Sequence, residues 1–368
     1  MSQLKIILSG GGTGGHIFPA VAIANEIKKR VPGAEMLFVG ALGKMEMEKV
    51  PAAGYKIVGL KIAGFQRKLT LANLSFPFKV ISSVLKAKKI LKDFRPDLVI
   101  GTGGYASGPM LRVASSMGIP TLIHESNSYP GITNRILAKK VSEICVGMQG
   151  MEKFFPKEKL VYTGNPVRQD ISDIESKREE GLRFFGYKGD KRIILAVGGS
   201  LGAKGINEAL GANLQQLADN HIELLWQTGK PYFETARQQT AAFAAQNIKA
   251  VDFITRMDLA YAIADVIISR AGAGAVSEIC IIKKPSILVP LPTAAEDHQT
   301  QNALSLVNRN AALLVKDAEA KAKLVGEAVA LLKDEARQKE LSENAGKLAM
   351  PHAASIIADE VFKLIQKK

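Results

Sequence analysis

"SGGGTGGHIFPA", Ser9 to Ala20, follows the apolar run "KIILS" (5 to 9) and leads into a second apolar stretch. Five glycines, a threonine and a histidine between two such runs mark a strand, a turn whose backbone comes close to a neighbour or a ligand, and a helix. Gly10, Gly12 and Gly15 satisfy the G-x-G-x-x-G spacing of a dinucleotide cradle. The acid that would hold a ribose is missing, however. The second strand, "EMLFVG" (35 to 40), runs out into Val39, Gly40 and Ala41, and Glu35 stands at its start. A phosphate or sugar loop and a plain tight turn remain beside the weakened dinucleotide reading.

Outward from this turn, short β-branched runs alternate with longer periodic ones. "DLVIG" (97 to 101), "PTLIHE" (120 to 125) and "EICVG" (143 to 147) read as further buried parallel strands. After "GNPVR" (164 to 168) and a charged stretch the pattern restarts. Its strands are "RIILAVGGS" (192 to 200), "IELLWQTG" (222 to 229), "IKAVDFI" (248 to 254), "ADVIISR" (264 to 270) and "PSILVPL" (285 to 291). The expectation is an α/β chain of two doubly wound Rossmann-like units joined near 165 to 170, with ligands at the carboxyl ends of strands in a shared cleft. A length of 368 residues fits two domains, and the helical tail can cross back onto the first.

The 49 Lys plus Arg against 35 Asp plus Glu give a formal charge of +14, which favours an anionic partner: nucleic acid, a phosphorylated substrate or an acidic membrane. One Trp and seven scattered Tyr offer little for stacking bases, so no nucleic-acid partner is expected. Cys145 and Cys280 alone cannot build a disulfide framework or a thiolate metal site, and no metal-ligand spacing emerges from the histidines and acids. "MSQLKIILSGGG" reads as a first strand and not as a secretory segment, and no run approaches a membrane span, so membrane contact is expected to be peripheral.

His16 is the candidate base. The positive end of a helix disfavours imidazolium, and a neutral ring there can take a proton from a hydroxyl; the alternative is a ring that caps or packs the first turn. A second glycine turn, "GGSLGAKGIN" (198 to 207), lacks the G-K-[ST] end of a nucleotide-hydrolysing loop, yet Ser200 and nearby amides suit a diphosphate. "SRAGAGAVSEI" (269 to 279) sets small residues before Glu278, a carboxylate able to accept from paired ribose hydroxyls or to balance a helix dipole. "PLPTAAEDHQTQNA" (290 to 303) crowds Asp297, His298, Gln299 and Asn302 into one turn, a density that suits sugar hydroxyls as well as helix capping. "GTGGYASGP" (101 to 109) and "HESNSYPGITNR" (124 to 135) load first-domain strand ends with Tyr105, His124, Glu125 and Asn127.

Residues 61 to 96 hold nine Lys or Arg and a single acid, Asp93, with apolar side chains between them. Phe76, Phe78, Ile81, Leu85, Lys86 and Lys89 make a candidate patch for an anionic membrane surface. The competing reading puts Ile81, Val84, Leu85 and Leu91 on the buried side of a crossover helix.

Seven stretches, "GGTGGHIFPA", "GGYASGP", "HESNSYPGITNR", "TGNPVR", "GGSLGAKGIN", "ISRAGAGAVSEI" and "EDHQTQNA", together resemble, in this order, the motifs of the MurG family of glycosyltransferases. The resemblance spans residues 11 to 303. It implies a two-domain GT-B fold: residues 1 to 166, with a terminal helix about 351 to 368 packed back on them, as the acceptor and membrane side, and 167 to 350 as the UDP-sugar side. It also implies UDP-N-acetylglucosamine as donor, undecaprenyl-pyrophosphoryl-N-acetylmuramyl pentapeptide as acceptor, inversion at the anomeric carbon, no cofactor or obligatory metal, and the cytoplasmic face of a bacterial membrane. Carried over by position, Thr13, Gly14, Gly15 and Asn127 contact the donor from the first domain. Arg168 and Ser200 hold its diphosphate, Ile254 the uracil through its backbone, Glu278 the ribose, and Gln299, or Gln301 in its place, the sugar hydroxyls, with Ala273 a further donor-binding residue. His16 becomes the base on the acceptor 4-hydroxyl, with Tyr105, His124 and Glu125 in the acceptor pocket. Another UDP-sugar transferase acting on a lipid such as diacylglycerol, and a UDP-N-acetylglucosamine 2-epimerase, are the rival readings.

Overall fold

The computed structural model describes residues 3–62, 76–171, 173–199 and 201–367, with the backbone alone for 76–79. The chain divides into two compact units, Met1–Val167 with Pro351–Lys368, and Arg168–Met350.

Among the described residues the first unit carries seven strands: β1 (Lys5–Gly10), β2 (Glu35–Ala41), β3 (Lys56–Leu60), β4 (Leu98–Gly103), β5 (Thr121–Glu125), β6 (Glu143–Val146) and β7 (Leu160–Tyr162). They pair in parallel in the order β3-β2-β1-β4-β5-β6-β7. Parallel strands covered on both faces have no wet side, which is why "KIIL" is apolar without a break. Alternation along β1 sends Ile6 and Leu8 into the core shared with helix Gly14–Arg30, and Ile7 into the core under Phe76–Phe94 and Ser107–Ser116.

The second unit repeats the plan with β8 (Ile193–Val197), β9 (Glu223–Gln227), β10 (Ile248–Val251), β11 (Val266–Ser269), β12 (Ser286–Leu288) and β13 (Leu313–Leu314). Among the described residues these order as β10-β9-β8-β11-β12-β13, again all parallel. In both sheets the chain steps from the first strand of the unit to one side and then returns to the other. The switch point lies beside β1 in one sheet and β8 in the other, where ligands settle in such folds.

Three strands, β3, β7 and β13, escape the sequence reading. They are peripheral and short, and "KIVGL", "LVY" and "LL" carry too little apolar length to stand out. The two cysteines are free and buried.

The last helix, Ala353–Gln366, buries Ile357, Ala358 and Val361 in the first unit's core. Full burial of each larger side chain stabilises by about 1.5–3 kcal/mol. That outweighs the partly exposed Arg30–Asp359 ion pair at 2.5 Å, a kind of contact worth about 0–1 kcal/mol. Beneath the helix, burial and the adjacent Glu360 carboxylate push the Glu143 carboxyl up to about 7, against the opposing pull of Lys367 and Lys363. A carboxyl whose folded pKa is raised above the unfolded value of 4.5 lends stability that is full below that value and is lost as pH climbs through about 7. Amide protection of Ala353–Gln366, corrected for intrinsic exchange, is therefore expected to fall between about pH 5 and about pH 8. Glu143→Gln should level it, and protection that instead rises with pH in the unaltered chain would contradict this assignment.

Candidate active site

The turn after β1 packs against the turn after β4. A β-carbon on Gly104 would stand 2.3 Å from the Gly11 carbonyl oxygen, and one on Gly103, whose φ is +100°, would stand 2.8 Å from the His16 ring. No other residue type fits this approach. Helix Gly14–Arg30 then opens behind Thr13, with no acid in its first turn and Lys28, Lys29 and Arg30 in its last, which suits the helix dipole.

His16 is half-buried in that first turn. Its Nδ1 lies 2.9 Å from the Gly11 carbonyl oxygen, and the Thr102 hydroxyl donates to the His16 carbonyl at 2.7 Å. A carbonyl only accepts, so Nδ1 carries the ring proton in the neutral form and Nε2 keeps the lone pair a base needs. Thr13, Gly12 and Gly15 are exposed around it, and Gly14 is half-buried.

Tyr105, 51% exposed, stands on the turn after β4. His124 and Glu125, at the end of β5, are instead buried. Glu125 Oε1 accepts from the Asn127 backbone and side-chain amides at 3.0 and 3.3 Å, and Oε2 from Gly131 N at 3.0 Å and Asn134 Nδ2 at 2.8 Å. With both oxygens so engaged, this carboxylate folds the loop that displays Asn127. Burial pushes the His124 imidazole down to about 4, helped slightly by the nearby His16 and opposed by its contact with the Gly164 carbonyl. His124 is therefore neutral and internal, its Nδ1 3.4 Å from the Ser126 hydroxyl.

In the second unit the turn after β8 is drawn against β9. Gly202 allows an approach in which a β-carbon would stand 2.1 Å from the Thr228 carbonyl oxygen. Ser200 lies outside the described residues. Gln227, at the end of β9, ties two loops together: its Nε2 donates to Gly199 O at 3.0 Å and its Oε1 accepts from Ile254 N at 2.9 Å. Helix Ala273–Ile282 begins behind Gly272, with Ala273 nearly covered and Glu278 further along. Glu278 is gripped twice, by Arg168 Nε on Oε1 at 3.0 Å and by the Tyr261 hydroxyl on Oε2 at 2.7 Å. Burial first, then the Glu278 charge, holds the Tyr261 phenol well above the ordinary range, so it remains a donor. Gln299 Oε1 accepts from Leu291 N at 2.9 Å, which pins the start of helix His298–Val307, while Gln301 is exposed. Asp297, the residue before that helix, accepts from the Thr300 hydroxyl at 2.6 Å and makes no side-chain cap to the helix backbone.

The residues therefore fall into two sets, each on the carboxyl rim of its own sheet. Thr13, Gly14, Gly15, His16, Tyr105 and Asn127 belong to the first; Arg168, Ile254, Ala273, Glu278 and Gln299 belong to the second. Sequence reasoning missed Gln227 and Tyr261, whose partners are a backbone amide and a carboxylate remote in sequence. It also missed Glu46, buried behind the first turn. Among the described residues no cluster of three or more His, Cys, Asp or Glu is placed to hold a metal.

The crossover helix Phe76–Phe94 is two-faced. Ser83, Ala87 and Leu91 are buried and Val84 half-buried, while Ile81 and Leu85 are 58% and 64% exposed beside exposed Lys88 and Lys89. Lys86 donates to the Gly59 carbonyl at 2.7 Å. The side chains of Phe76 and Phe78 lie outside the described residues. Among the described residues no helix is long and apolar enough to cross a membrane.

The pattern of the glycosyltransferase family 28 N-terminal domain matches residues 6–146, and that of the family's C-terminal domain matches residues 193–357. The UDP-N-acetylglucosamine--N-acetylmuramyl-(pentapeptide) pyrophosphoryl-undecaprenol N-acetylglucosamine transferase of Parabacteroides distasonis is 51% identical over 368 residues, all of both chains. Its counterpart in Phocaeicola vulgatus is 55% identical over 366 residues, 99% of this chain and 97% of that one. The crystal structure of Acinetobacter baumannii MurG has a TM-score of 0.80 at 31% identity, covering 99% of this chain and 100% of that one. A UDP-GlcNAc 2-epimerase from Neisseria meningitidis, at 14% identity and a TM-score of 0.66 over 98% of this chain and all of its own, shares the fold alone. With full-length relatives of this kind and both family domains in order, the chain belongs to glycosyltransferase family 28, in its MurG branch, and has the GT-B fold.

Proposed function

We propose that this protein moves N-acetylglucosamine from UDP-N-acetylglucosamine to the 4-hydroxyl of lipid-linked N-acetylmuramyl pentapeptide, with inversion at the anomeric carbon, the step that turns lipid I into lipid II in peptidoglycan synthesis. The observation that carries this reading is the full-length identity of 51% and 55% to transferases of that name. In the first unit His16 Nε2 takes the proton of the acceptor hydroxyl as the oxygen attacks. Tyr105 flanks the acceptor, Asn127 and the turn residues Thr13, Gly14 and Gly15 meet the donor sugar, and buried Glu125 fixes the loop that carries Asn127.

In the second unit the Ile254 backbone, held by Gln227, reads the uracil. Glu278 accepts the ribose hydroxyls and Gln299 offers its amide to the sugar. The ribose hydroxyls replace Arg168 on Glu278, and the released guanidinium turns to the diphosphate, where Ser200 and the helix amides add donors. Negative charge grows on that diphosphate as the glycosidic bond breaks, and preorganised donors stabilise it without reorganisation.

The reading is tested by UDP release. It is expected only when a lipid-linked muramyl acceptor is supplied. Acceptor-independent epimerisation, or equal turnover with diacylglycerol, would overturn it. His16→Ala should lower kcat by roughly 10²–10⁴-fold, the usual worth of a general base, with donor affinity within about twofold. Unchanged turnover in that variant would remove the base assignment.

The outer face of helix Phe76–Phe94 rests, in this proposal, on the anionic cytoplasmic surface of the membrane, Ile81 and Leu85 entering the interface while Lys88 and Lys89 meet headgroups. Each such lysine contributes about 1 kcal/mol. Binding to phosphatidylglycerol vesicles is therefore expected to weaken about fivefold for each of Lys88→Ala and Lys89→Ala, and with rising salt. Lys86→Ala should matter less, because that ammonium is spent on Gly59. Binding indifferent to all three would count against the patch.

A further inference from the structure

Glu46 opens the short helix Glu46–Ala52 and is only 1% exposed. Its Oε2 accepts from Gly12 N and its Oε1 from Ala41 N, each at 2.8 Å, so one carboxylate joins the end of β2 to the glycine turn after β1. Burying a carboxylate costs several kcal/mol, and backbone amides offset that cost only when they are held in place to receive it. The surrounding sequence makes room for it. A β-carbon on Gly11 would stand 2.2 Å from Glu46 Cδ, and one on Gly40 would stand 2.4 Å from Glu46 Cγ.

In a strand, glycine turn and helix of this kind the turn amides ordinarily point at a bound phosphate. Here the Gly12 amide is already spent on the chain's own carboxylate. We propose that Glu46 is an internal anion that fills this phosphate niche and acts as the positioning residue for His16. It fixes Gly12, and with it the Gly11 carbonyl that holds the His16 Nδ1 proton and leaves Nε2 facing the acceptor. The first unit is thereby closed to a dinucleotide and committed to orienting a base. The proposal rests on the reading of His16 as that base.

Glu46→Gln keeps the volume but sets an amide NH2 against one of two N–H donors. A displacement of the base by about 1 Å costs about 10²-fold, so kcat for acceptor-dependent transfer should fall by about 10²-fold with donor KM within about twofold. Nitrogen-15 spectra of the His16 ring should lose the single Nδ1–H tautomer, and the limb of the pH–kcat profile set by His16 should move. An unchanged kcat, or a fall in thermal stability with the tautomer and profile intact, would overturn the proposal. Should Glu46→Gln be recovered unfolded, Gly40→Ala serves instead, because its β-carbon displaces Glu46 while keeping the charge, and the same readouts decide. His16→Ala is assayed alongside. Full transfer there removes the base reading, while the ring tautomer in the Glu46 variants still judges the positioning claim by itself.

Discussion

The approach of the turns after β1 and β4, so close that Gly104 has no room for a β-carbon beside the Gly11 carbonyl, governs the chemistry of the first unit. It brings Gly103 against the His16 ring and sets the Thr102 hydroxyl on the His16 carbonyl. Two parallel strands that neighbour each other at the switch point thus deliver one histidine with one tautomer to the rim. The rest of that sheet is scaffold for this contact, and its apolar strands hold the two turns in register.

Three carboxylates divide the remaining work by what surrounds them. Glu46 and Glu125 are buried, with both oxygens of each accepting from amides of neighbouring segments, so they fix backbone. Glu278 is different. Its partners are a buried tyrosine that cannot leave and an arginine whose side chain is 44% exposed and can. A group held on one side by a fixed donor and on the other by a mobile one can exchange the mobile donor for a ligand hydroxyl. That difference in surroundings supports Glu278 as the acid that reads substrate and leaves the other two as architecture.

Much of this was legible in the sequence, and what was not has a physical cause. The central strands announce themselves because burial on both faces demands unbroken apolar runs such as "RIIL" and "KIIL", and the glycine turns after them follow from the close approaches they must make. Peripheral β3, β7 and β13 carry no such demand. Placing His124 and Glu125 in a pocket required knowing which way they face at the end of β5, where both are buried. Gln227, Tyr261 and Glu46 act on backbone amides or on partners at least five positions away, and nothing local marks them. The end of β2, Val39, Gly40 and Ala41, carries no acid. What stands there is Glu46, five residues past Ala41 and turned inward.

Under the proposed reading, one hydroxyl oxygen, stripped of its proton by His16, displaces UDP from the opposite face of the donor sugar in a single step. The stereochemistry of the new bond reports on that step directly. The measurement is the proton NMR coupling at the anomeric centre of the lipid-linked disaccharide made from UDP-N-acetylglucosamine, whose own linkage is α. Single displacement predicts a β linkage in the product; an α linkage would contradict it.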